Sequence, residues 1–361
     1  MLQRIVLKNF RNYKNLIFNI EAKTNVLIGD NGQGKTNFLE SIYFASMLRS
    51  FRTSRINELK TIDSKDFFVG LLYHNPYERT KLTVKYANGK KNVSVNDHKV
   101  TKTSQFINHF KTVVFAPNDI NIVTGNALQR RRFIDIIIIA LENNAVNVMY
   151  QYNMALKQRN SLLRSGNIDR DVLSVFDEII AENGVKIAQW RKFYLKCLFE
   201  EIEVMLPDCS VILNNALFSY NYLSDEKLIQ KEEFLALLSQ NYSRDLQRKQ
   251  TCNGVHLDDV DFLLNERLLR KFGSNGQCRM LSLILKMAQL KLLSKYNSDN
   301  REIVVLVDDV TGDLDDKFRS LFFEIIAAAN QLFFTFTDSK KCEFIGECNK
   351  YKVQNNEIVT F

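Results

Sequence analysis

Eight consecutive residues, Gly29, Asp30, Asn31, Gly32, Gln33, Gly34, Lys35 and Thr36, satisfy the pattern G-x-x-x-x-G-K-[ST]. The chemistry of that pattern is phosphate binding. Glycines let a loop fold back until its backbone N–H groups face a phosphate, and the start of the following helix adds a positive dipole. Lys35 is then expected to reach the β- and γ-phosphates of a nucleoside triphosphate, and the Thr36 hydroxyl to ligate Mg²⁺. The metal needs an acidic partner. The best candidate lies far downstream, where the apolar run Ile303-Val304-Val305-Leu306-Val307 ends in Asp308-Asp309, the form a Walker B segment takes. Asp308 would hold Mg²⁺, and Asp309 would orient or deprotonate the attacking water. Alone, two carboxylates after a strand are more often a helix cap or a turn; the upstream loop is what gives them chemistry. A third segment, Gly273-Ser274-Asn275-Gly276-Gln277, stands directly before an apolar helical stretch. By itself it reads equally well as a linker capped by Ser274.

The loop can cradle a phosphate only if a strand leads in and a helix leads out. Asn25-Val26-Leu27-Ile28 is the expected buried strand, and residues 36–48 carry Phe38, Leu39, Ile42, Tyr43 and Ala45 at helical spacing. Alternation of Leu2, Ile5 and Leu7, and of Leu16, Phe18 and Ile20, with polar neighbours predicts a pair of half-buried strands. Residues 67–100 are strand-like, with Asn88-Gly89 as a hairpin turn between 82–84 and 93–95. The character changes after Pro117. From about 127 to 246 the chain has one proline, few glycines and long helical stretches, which predicts an inserted helical lobe. Within it Leu173, Phe176, Ile180, Asn183, Ile187, Trp190, Tyr194 and Cys197 form a heptad-like seam, short enough to favour an ordinary bundle helix over a coiled coil. After Gly254 a helix is expected over 280–293 and strands over 303–307 and 332–335. The fold class is therefore α/β.

Composition sets the outer bounds. The chain has 361 residues, 45% of them hydrophobic and 25% charged, enough for a sizeable core and a second lobe. Lys and Arg number 49 against 41 Asp and Glu, a formal +8 that permits a polyanionic partner without demanding one. The six cysteines show no Cys-x-x-Cys spacing, so no zinc site is implied, and isolated thiols suit a reducing cytoplasm. The longest apolar run, residues 136–141, is far below membrane-spanning length, and a cytoplasmic protein with no membrane partner is expected.

Ser274-x-Gly276-Gln277, opening a helix ahead of the 303–307 strand, resembles the signature motif of the ABC ATPase superfamily. In that superfamily the signature serine and glycine of one protomer contact the γ-phosphate held by the other, which implies ATP as the nucleotide and an ATP-dependent homodimer. Ser274, Gly276 and Gln277 would then complete the partner's ATP site, and Gly312-Asp313-Leu314-Asp315 stands where the superfamily has its D-loop. The resemblance narrows to the RecF family. It rests on Leu7-Lys8-Asn9-Phe10-Arg11-Asn12-Tyr13, the loop and its flanks, Ser50-Phe51-Arg52-Thr53-Ser54-Arg55 and Val114-Phe115-Ala116-Pro117-Asn118-Asp119. It continues through Gln129-Arg130-Arg131-Arg132-Phe133-Ile134-Asp135, Gly254-Val255-His256-Leu257-Asp258-Asp259 and Leu306-Val307-Asp308-Asp309-Val310.

Several expectations follow from that resemblance. The chain would be an ABC-type P-loop ATPase head with a helical second lobe: residues 1–125 the N-terminal part of the ATPase lobe, 126–250 the helical insertion, and 251–361 the C-terminal part. It would bind duplex DNA at gaps or junctions and cooperate with RecR, and with RecO, in loading recombinase during repair and replication restart. Hydrolysis would be slow, because the D-loop begins Gly312-Asp313 where Ser-Glu is usual, Asp309 is shorter than the common Glu, and no His follows the strand at Phe333. Thr337 or Asp338 would sense the γ-phosphate there, or form a plain turn. Arg11 and Asn12 would approach the nucleotide, as similar residues do in related heads, or lie in a surface hairpin. Candidate DNA contacts are Arg49, Arg52 and Arg55; Lys90 and Lys91; and Arg130, Arg131 and Arg132, the last group opposing a helix dipole. Two other classes compete. An energising subunit of a membrane transporter would have a membrane-domain partner and no DNA dependence; a DNA-binding protein with a vestigial ATP site would not turn over.

Overall fold

The computed structural model describes the chain apart from residues 75–77, 108, 166–168, 209–216, 299, 311–313 and 361. Strand β1 (Leu2–Phe10) turns into β2 (Tyr13–Asn19), the pair expected from the alternating apolar residues. Strand β3 (Thr24–Ile28), buried from Asn25 on, runs into the 29–34 loop and helix α1 (Lys35–Met47). Four more strands follow: β4 (Phe67–His74), β5 (Arg79–Ala87), β6 (Lys90–Val95) and β7 (His98–Val100). Positive φ at both Asn88 (50°) and Gly89 (74°) gives the β5–β6 hairpin the primed turn that matches strand twist. Strand β8 (Lys111–Phe115) then leads to α2 (Asn121–Thr124), α3 (Ala127–Leu141), α4 (Ala145–Ser165) and the long α5 (Arg170–Met205). Beyond β9 (Phe218–Leu223) come α6 (Lys231–Gln240), α7 (Tyr242–Arg248), the hairpin β10 (Asp259–Leu264) and β11 (Arg267–Leu268), α8 (Leu269–Phe272) and α9 (Asn275–Lys295). The chain closes with β12 (Ile303–Asp308), α10 (Asp316–Ile326), β13 (Gln331–Phe336), β14 (Asn349–Gln354) and β15 (Glu357–Thr360).

Contacts divide the chain into two units, one built from Met1–Asp119 and Gln289–Phe361, the other from Ile120–Pro207 and Val211–Ala288. The first holds two six-stranded sheets. One is antiparallel in the order β2-β1-β4-β5-β6-β7; the other runs β15-β14-β3-β13-β12-β8, parallel from β14 to β8 with β15 antiparallel at its edge. Helix α1 touches both sheets, meeting β1, β4 and β5 on one side and β8, β12 and β13 on the other. A helix enclosed in this way must be apolar nearly all round. Phe38, Leu39, Ile42, Tyr43, Phe44, Ala45 and Met47 are accordingly all buried, and so are the polar Glu40 and Ser41. Strands β12 and β13 are buried along their whole length, as the central strands of a covered parallel sheet should be.

The second unit is mainly helical. Helix α5 packs on α3, α4 and α6, so its 173–197 seam is spent inside a bundle around Tyr152, Ile180, Ile187 and Phe234. This unit runs past residue 250, where a boundary was expected, to Ala288, and it includes 274–277. Two attachments explain the difference. Strand β10 pairs with β9, and Asp258 and Asp259 form ion pairs with Arg191 and Arg130.

Candidate nucleotide site

Helix α1 begins without a side-chain cap and with no acidic residue in its first turn. Free N–H groups at a helix start usually find a Ser, Asp or Asn cap, so this end is left open to an anion. Gly34 stands at the cap position with φ 112°, a conformation side chains rarely adopt, and a Cβ there would lie 2.7 Å from Asn12 Nδ2 and 2.9 Å from Tyr13 Oη. The 11–13 turn therefore backs directly onto the loop. Tyr13 Oη donates to the Gly34 carbonyl at 3.1 Å, Asn37 Nδ2 donates to Asn12 Oδ1 at 2.7 Å, and Asn12 bonds the Asn356 side chain. From the same β14–β15 turn, Asn355 N donates to Gln33 Oε1 at 2.7 Å. Asp30, Asn31 and Gly32 form the exposed tip.

Lys35 curls over the loop, its Nζ donating to the carbonyls of Gly29 at 2.6 Å and Asp30 at 2.8 Å. Burial pushes its ammonium below the ordinary lysine value, against the opposing pull of Asp309, Asp308 and Asp30. Thr36 meets Asp308 across the sheet: its Oγ1 lies 2.8 Å from Oδ1 and 3.0 Å from Oδ2. Thr335, from the end of β13, donates to the same Oδ1 at 2.8 Å. Burial raises the Asp308 carboxyl above its usual range, offset in part by the two threonine hydroxyls and the charge of Arg52 and reinforced by Asp309. A hydroxyl and a desolvated carboxylate brought together in this way fit Mg²⁺, which takes one or two protein oxygens and fills its other positions with water and phosphate. Asp309 is exposed and left-handed, with φ 50°. Non-glycine residues held there cost on the order of 1 kcal/mol and concentrate at functional sites.

Arg11 is turned away from the loop. Its Nε and Nη2 fork onto Glu40 at 2.8 and 2.7 Å, and its Nη1 reaches the Glu58 carbonyl at 2.6 Å. Arg52 Nη1 bonds Asn37 Oδ1 at 2.7 Å and lies 3.5 Å from Glu40, which Ser50 also contacts. Two of the family-like segments thus converge on one fully buried carboxylate. Glu40 was not among the expected site residues. It is the one charged residue in the apolar run 38–48, and that was the available signal. Asn37, Tyr13 and Thr335 were missed as well, and only the tertiary fold brings them in.

Ser274 and Gln277 form a reciprocal cap on α9: Gln277 N donates to Ser274 Oγ at 3.2 Å, and Ser274 N donates to Gln277 Oε1 at 2.9 Å. Ser274, Asn275 and Gly276 are exposed. Among the described residues a Cβ on Gly276 would meet only Ser274 Oγ, at 3.9 Å, so none of them requires glycine there. Asp338 caps a short turn by accepting from Lys340 N at 3.0 Å, and Thr337 is half-buried beside it. Gly312 and Asp313 of the expected D-loop lie outside the described residues.

The description RecF/RecN/SMC N terminal domain belongs to a family model that matches residues 1–360. The chain belongs to the RecF family. It is 32% identical to the DNA replication and repair protein RecF of Clostridium acetobutylicum, over 97% of this chain and 94% of that protein. To the protein of the same name from Streptococcus thermophilus it is 34% identical, over 93% and 92%. A solved structure of the recombination mediator protein RecF with ATP, from the RecFOR pathway, superposes with a TM-score of 0.90 at 31% identity, covering 100% of this chain and 97% of that one. An SMC head bound to the C-terminal winged-helix domain of ScpA shares the fold at TM-score 0.50 and 13% identity. The ABC-type head expected from the loop and signature segments is the fold observed.

The basic candidates fall into different environments. Arg49, Arg55 and Arg132 are exposed, Arg55 beside Glu58 at 3.6 Å. Arg130 corrects the expectation. Its side chain is 2% exposed and forks onto Asp259 at 2.6 and 3.0 Å, with Nη1 on the Gly125 carbonyl, so its charge is consumed inside the unit. Arg131 likewise donates to the Asp258 carbonyl at 2.6 Å. The cost of positive charge at the start of α3 is met by Asp259 and has a structural reason. Among the described residues no helix is long and apolar enough to cross a membrane.

Proposed function

We propose that this chain is an ATPase of DNA replication and repair that closes on duplex DNA, at gaps or junctions, when ATP joins two copies. The observation that carries the reading is the Thr36–Asp308 contact, 2.8 Å, which brings the hydroxyl of the phosphate loop to the carboxylate at the end of β12. The loop amides and the uncapped start of α1 would hold the β-phosphate, and Lys35 would leave its carbonyl partners for the β- and γ-oxygens. Thr36 and Asp308 would hold Mg²⁺, which neutralises charge developing on the transferring phosphoryl group. Asp309 would take the proton of, or orient, the attacking water.

The trans half of the reading is supported by Ser274 and Gly276. They stand exposed at a helix start, and no contact among the described residues requires glycine at 276. A backbone approached closely by a second molecule's phosphate gives that glycine a purpose. Slow hydrolysis is the reading suggested by Asp309 in place of a longer Glu and by the lack of a His after Phe333, and dimer dependence and cooperation with RecR and RecO in loading recombinase are what the resemblance to the RecF family implies. The lobes of this reading are the nucleotide-holding first unit and a second unit that presents Ser274.

Sedimentation of the purified chain with and without ATP and Mg²⁺, and with gapped duplex DNA at two salt concentrations, tests the coupling. An ATP-dependent monomer-to-dimer shift that strengthens DNA binding and disappears in Ser274→Arg is the expected result. A monomer indifferent to ATP, or a dimer indifferent to DNA, would overturn it.

A further inference from the structure

The six strands of the antiparallel sheet contain no Asp or Glu, while they hold nine Lys and Arg. The whole chain carries a formal +8, so this one sheet contains its entire positive excess. Strand alternation sorts the residues onto two faces. Ile5, Leu7, Val69, Leu71, Leu82 and Val84 are buried on one, while Arg4, Lys8, Lys81 and Lys85 are exposed on the other.

Register arranges that outer face in rows. Asn15, Lys8, Phe68, Lys85 and Asn92 are successive cross-strand partners from β2 to β6. Asn19, Arg4, Leu72 and Lys81 form a second row, extended by Asn96, whose Oδ1 accepts from Lys81 N at 2.8 Å. Between them the row through Val6, Gly70, Thr83 and Ser94 ends at Lys99. The two cations of a row are two strands apart, about 10 Å, and the rows are four residues apart, about 13 Å, from standard sheet spacings. Asp97 pairs with Lys81 at 2.8 Å from the β6–β7 turn, and Lys8, Lys85 and Lys99 make no ion pair among the described residues.

We propose that this outer face is a docking surface for the phosphate backbone of duplex DNA. The inference rests on the DNA-binding reading above and assigns it to residues outside the clusters expected from sequence. A face meant only for solubility carries both signs interspersed. A face of one sign is the footprint of a polyanion. The row separation is close to the width of a major groove, about 12 Å, so the rows match phosphates on its two sides. Asn15, Asn19, Asn92, Thr83 and Ser94 add the neutral side chains that commonly hydrogen-bond phosphate oxygens. Single strands are held largely by stacking on exposed aromatic rings. Here Phe68 is half-buried and leans over Gly70, so the face suits a duplex.

The test is equilibrium binding of intact and gapped duplex across a salt series, for the full chain and two variants of equal charge. One combines Arg4→Gln, Lys8→Gln, Lys81→Gln and Lys85→Gln. The other removes four exposed lysines of the second unit by Lys157→Gln, Lys196→Gln, Lys227→Gln and Lys249→Gln. Each phosphate contact contributes close to one to the slope of log affinity against log salt. The sheet variant should lose roughly 3 to 4 from that slope, and the control variant well under 1. Thermal midpoints of both variants, all altered at exposed positions, check that the fold is intact. Equal losses in both variants, or an unchanged slope in the sheet variant, would overturn the surface while leaving DNA binding itself standing. Failure of the unaltered chain to bind duplex at low salt would sink both readings. If the four sheet residues instead governed binding to phosphatidylserine vesicles, with duplex affinity unchanged, the surface would be a membrane contact and the proposal wrong.

Discussion

Thr36 and Asp308, which lie on opposite sides of a long stretch of sequence, share a hydrogen bond of 2.8 Å that ties the start of α1 to the end of β12. The carboxylate also accepts from Thr335, yet burial still raises its pKa. A raised folded-state pKa in an acid means that stability is greatest below the unfolded value and is lost as pH rises through the folded one. Neutral pH is therefore the costly side for the protein without nucleotide.

Replacing Asp308 by Asn should consequently raise the melting temperature of the nucleotide-free protein at pH 7. It should also remove the extra stabilisation given by ATP with Mg²⁺ and lower kcat by at least about 100-fold. The gain in melting temperature should shrink as pH falls into the acid range, where the native carboxyl is itself protonated. Differential scanning fluorimetry at pH 5 and pH 7, with and without nucleotide, reads all of these. A variant less stable than the parent at pH 7 would mean that the ionised carboxylate helps hold the apo fold.

Glu40 is fully buried between Arg11 and Arg52 and is touched by Ser50. Removing one member of a buried pair leaves an uncompensated charge, commonly a loss of about 3–5 kcal/mol. Arg11 and Arg52 keep 17% and 38% side-chain exposure, so solvent screens part of what is left. Glu40→Ala should therefore fall at or just below the bottom of that range, about 2–3 kcal/mol, measured by urea unfolding. A smaller loss is expected for Arg52→Ala, because the fork from Arg11 remains. Equal losses would show that Arg52, not Arg11, is the partner that matters.

Arg130 and Arg132 are two residues apart in sequence and opposite in fate. Arg130 is buried against Asp259, and Arg132 is exposed. Burial alone would raise the Asp259 carboxyl, but hydrogen bonds from Arg130 and the Val260 amide, with the charge of Arg130, bring it below the ordinary value. A depressed acid contributes stability above its unfolded pKa and loses it as pH falls through the folded one. Arg130→Gln should destabilise the chain by about 3 kcal/mol at pH 7 and by less below about pH 4. Arg132→Gln should stay within about 0.5 kcal/mol at either pH. Denaturant titrations at the two pH values separate the outcomes, and matching losses in both variants would remove the distinction.

The phosphate loop, both strands that feed the site and the primed turn at Asn88-Gly89 were legible because each depends on local spacing or backbone chemistry. The heptad-like seam of α5 was legible as a buried face. Its partners α4 and α6 were not, since periodicity marks a face without saying what covers it. Arg130 was misread for a related reason: three consecutive arginines look like one patch, but consecutive helix positions point about 100° apart, so one was bound to face the unit's interior. The carboxylate that receives it lies in β10, and no local rule connects the two. Glu40 had a visible signal, a lone charge in an apolar helix, whose meaning needed the Arg11 and Arg52 segments to arrive from elsewhere. Thr335 gave no signal at all. The even sign of charge on the antiparallel sheet emerged only once register showed which residues share a face.

Gly276 offers the sharpest separation between stability and function. It occupies the first turn of α9, where among the described residues an added Cβ would make only an ordinary contact with Ser274 Oγ, at 3.9 Å. Glycine in a helix costs up to about 1 kcal/mol relative to alanine, less in a first turn, so Gly276→Ala should leave the fold unharmed or slightly more stable. If the glycine is there because another molecule's phosphate approaches the backbone, the added methyl will obstruct that approach. ATP-dependent association should then weaken at least tenfold while each chain still binds ATP through its own loop. Fluorescent-nucleotide binding and sedimentation equilibrium on the same preparation read the two quantities independently. Normal association with normal stability would leave Gly276 without a role and move the trans contact to another residue; lost association with lost stability would mean the helix start itself had been damaged.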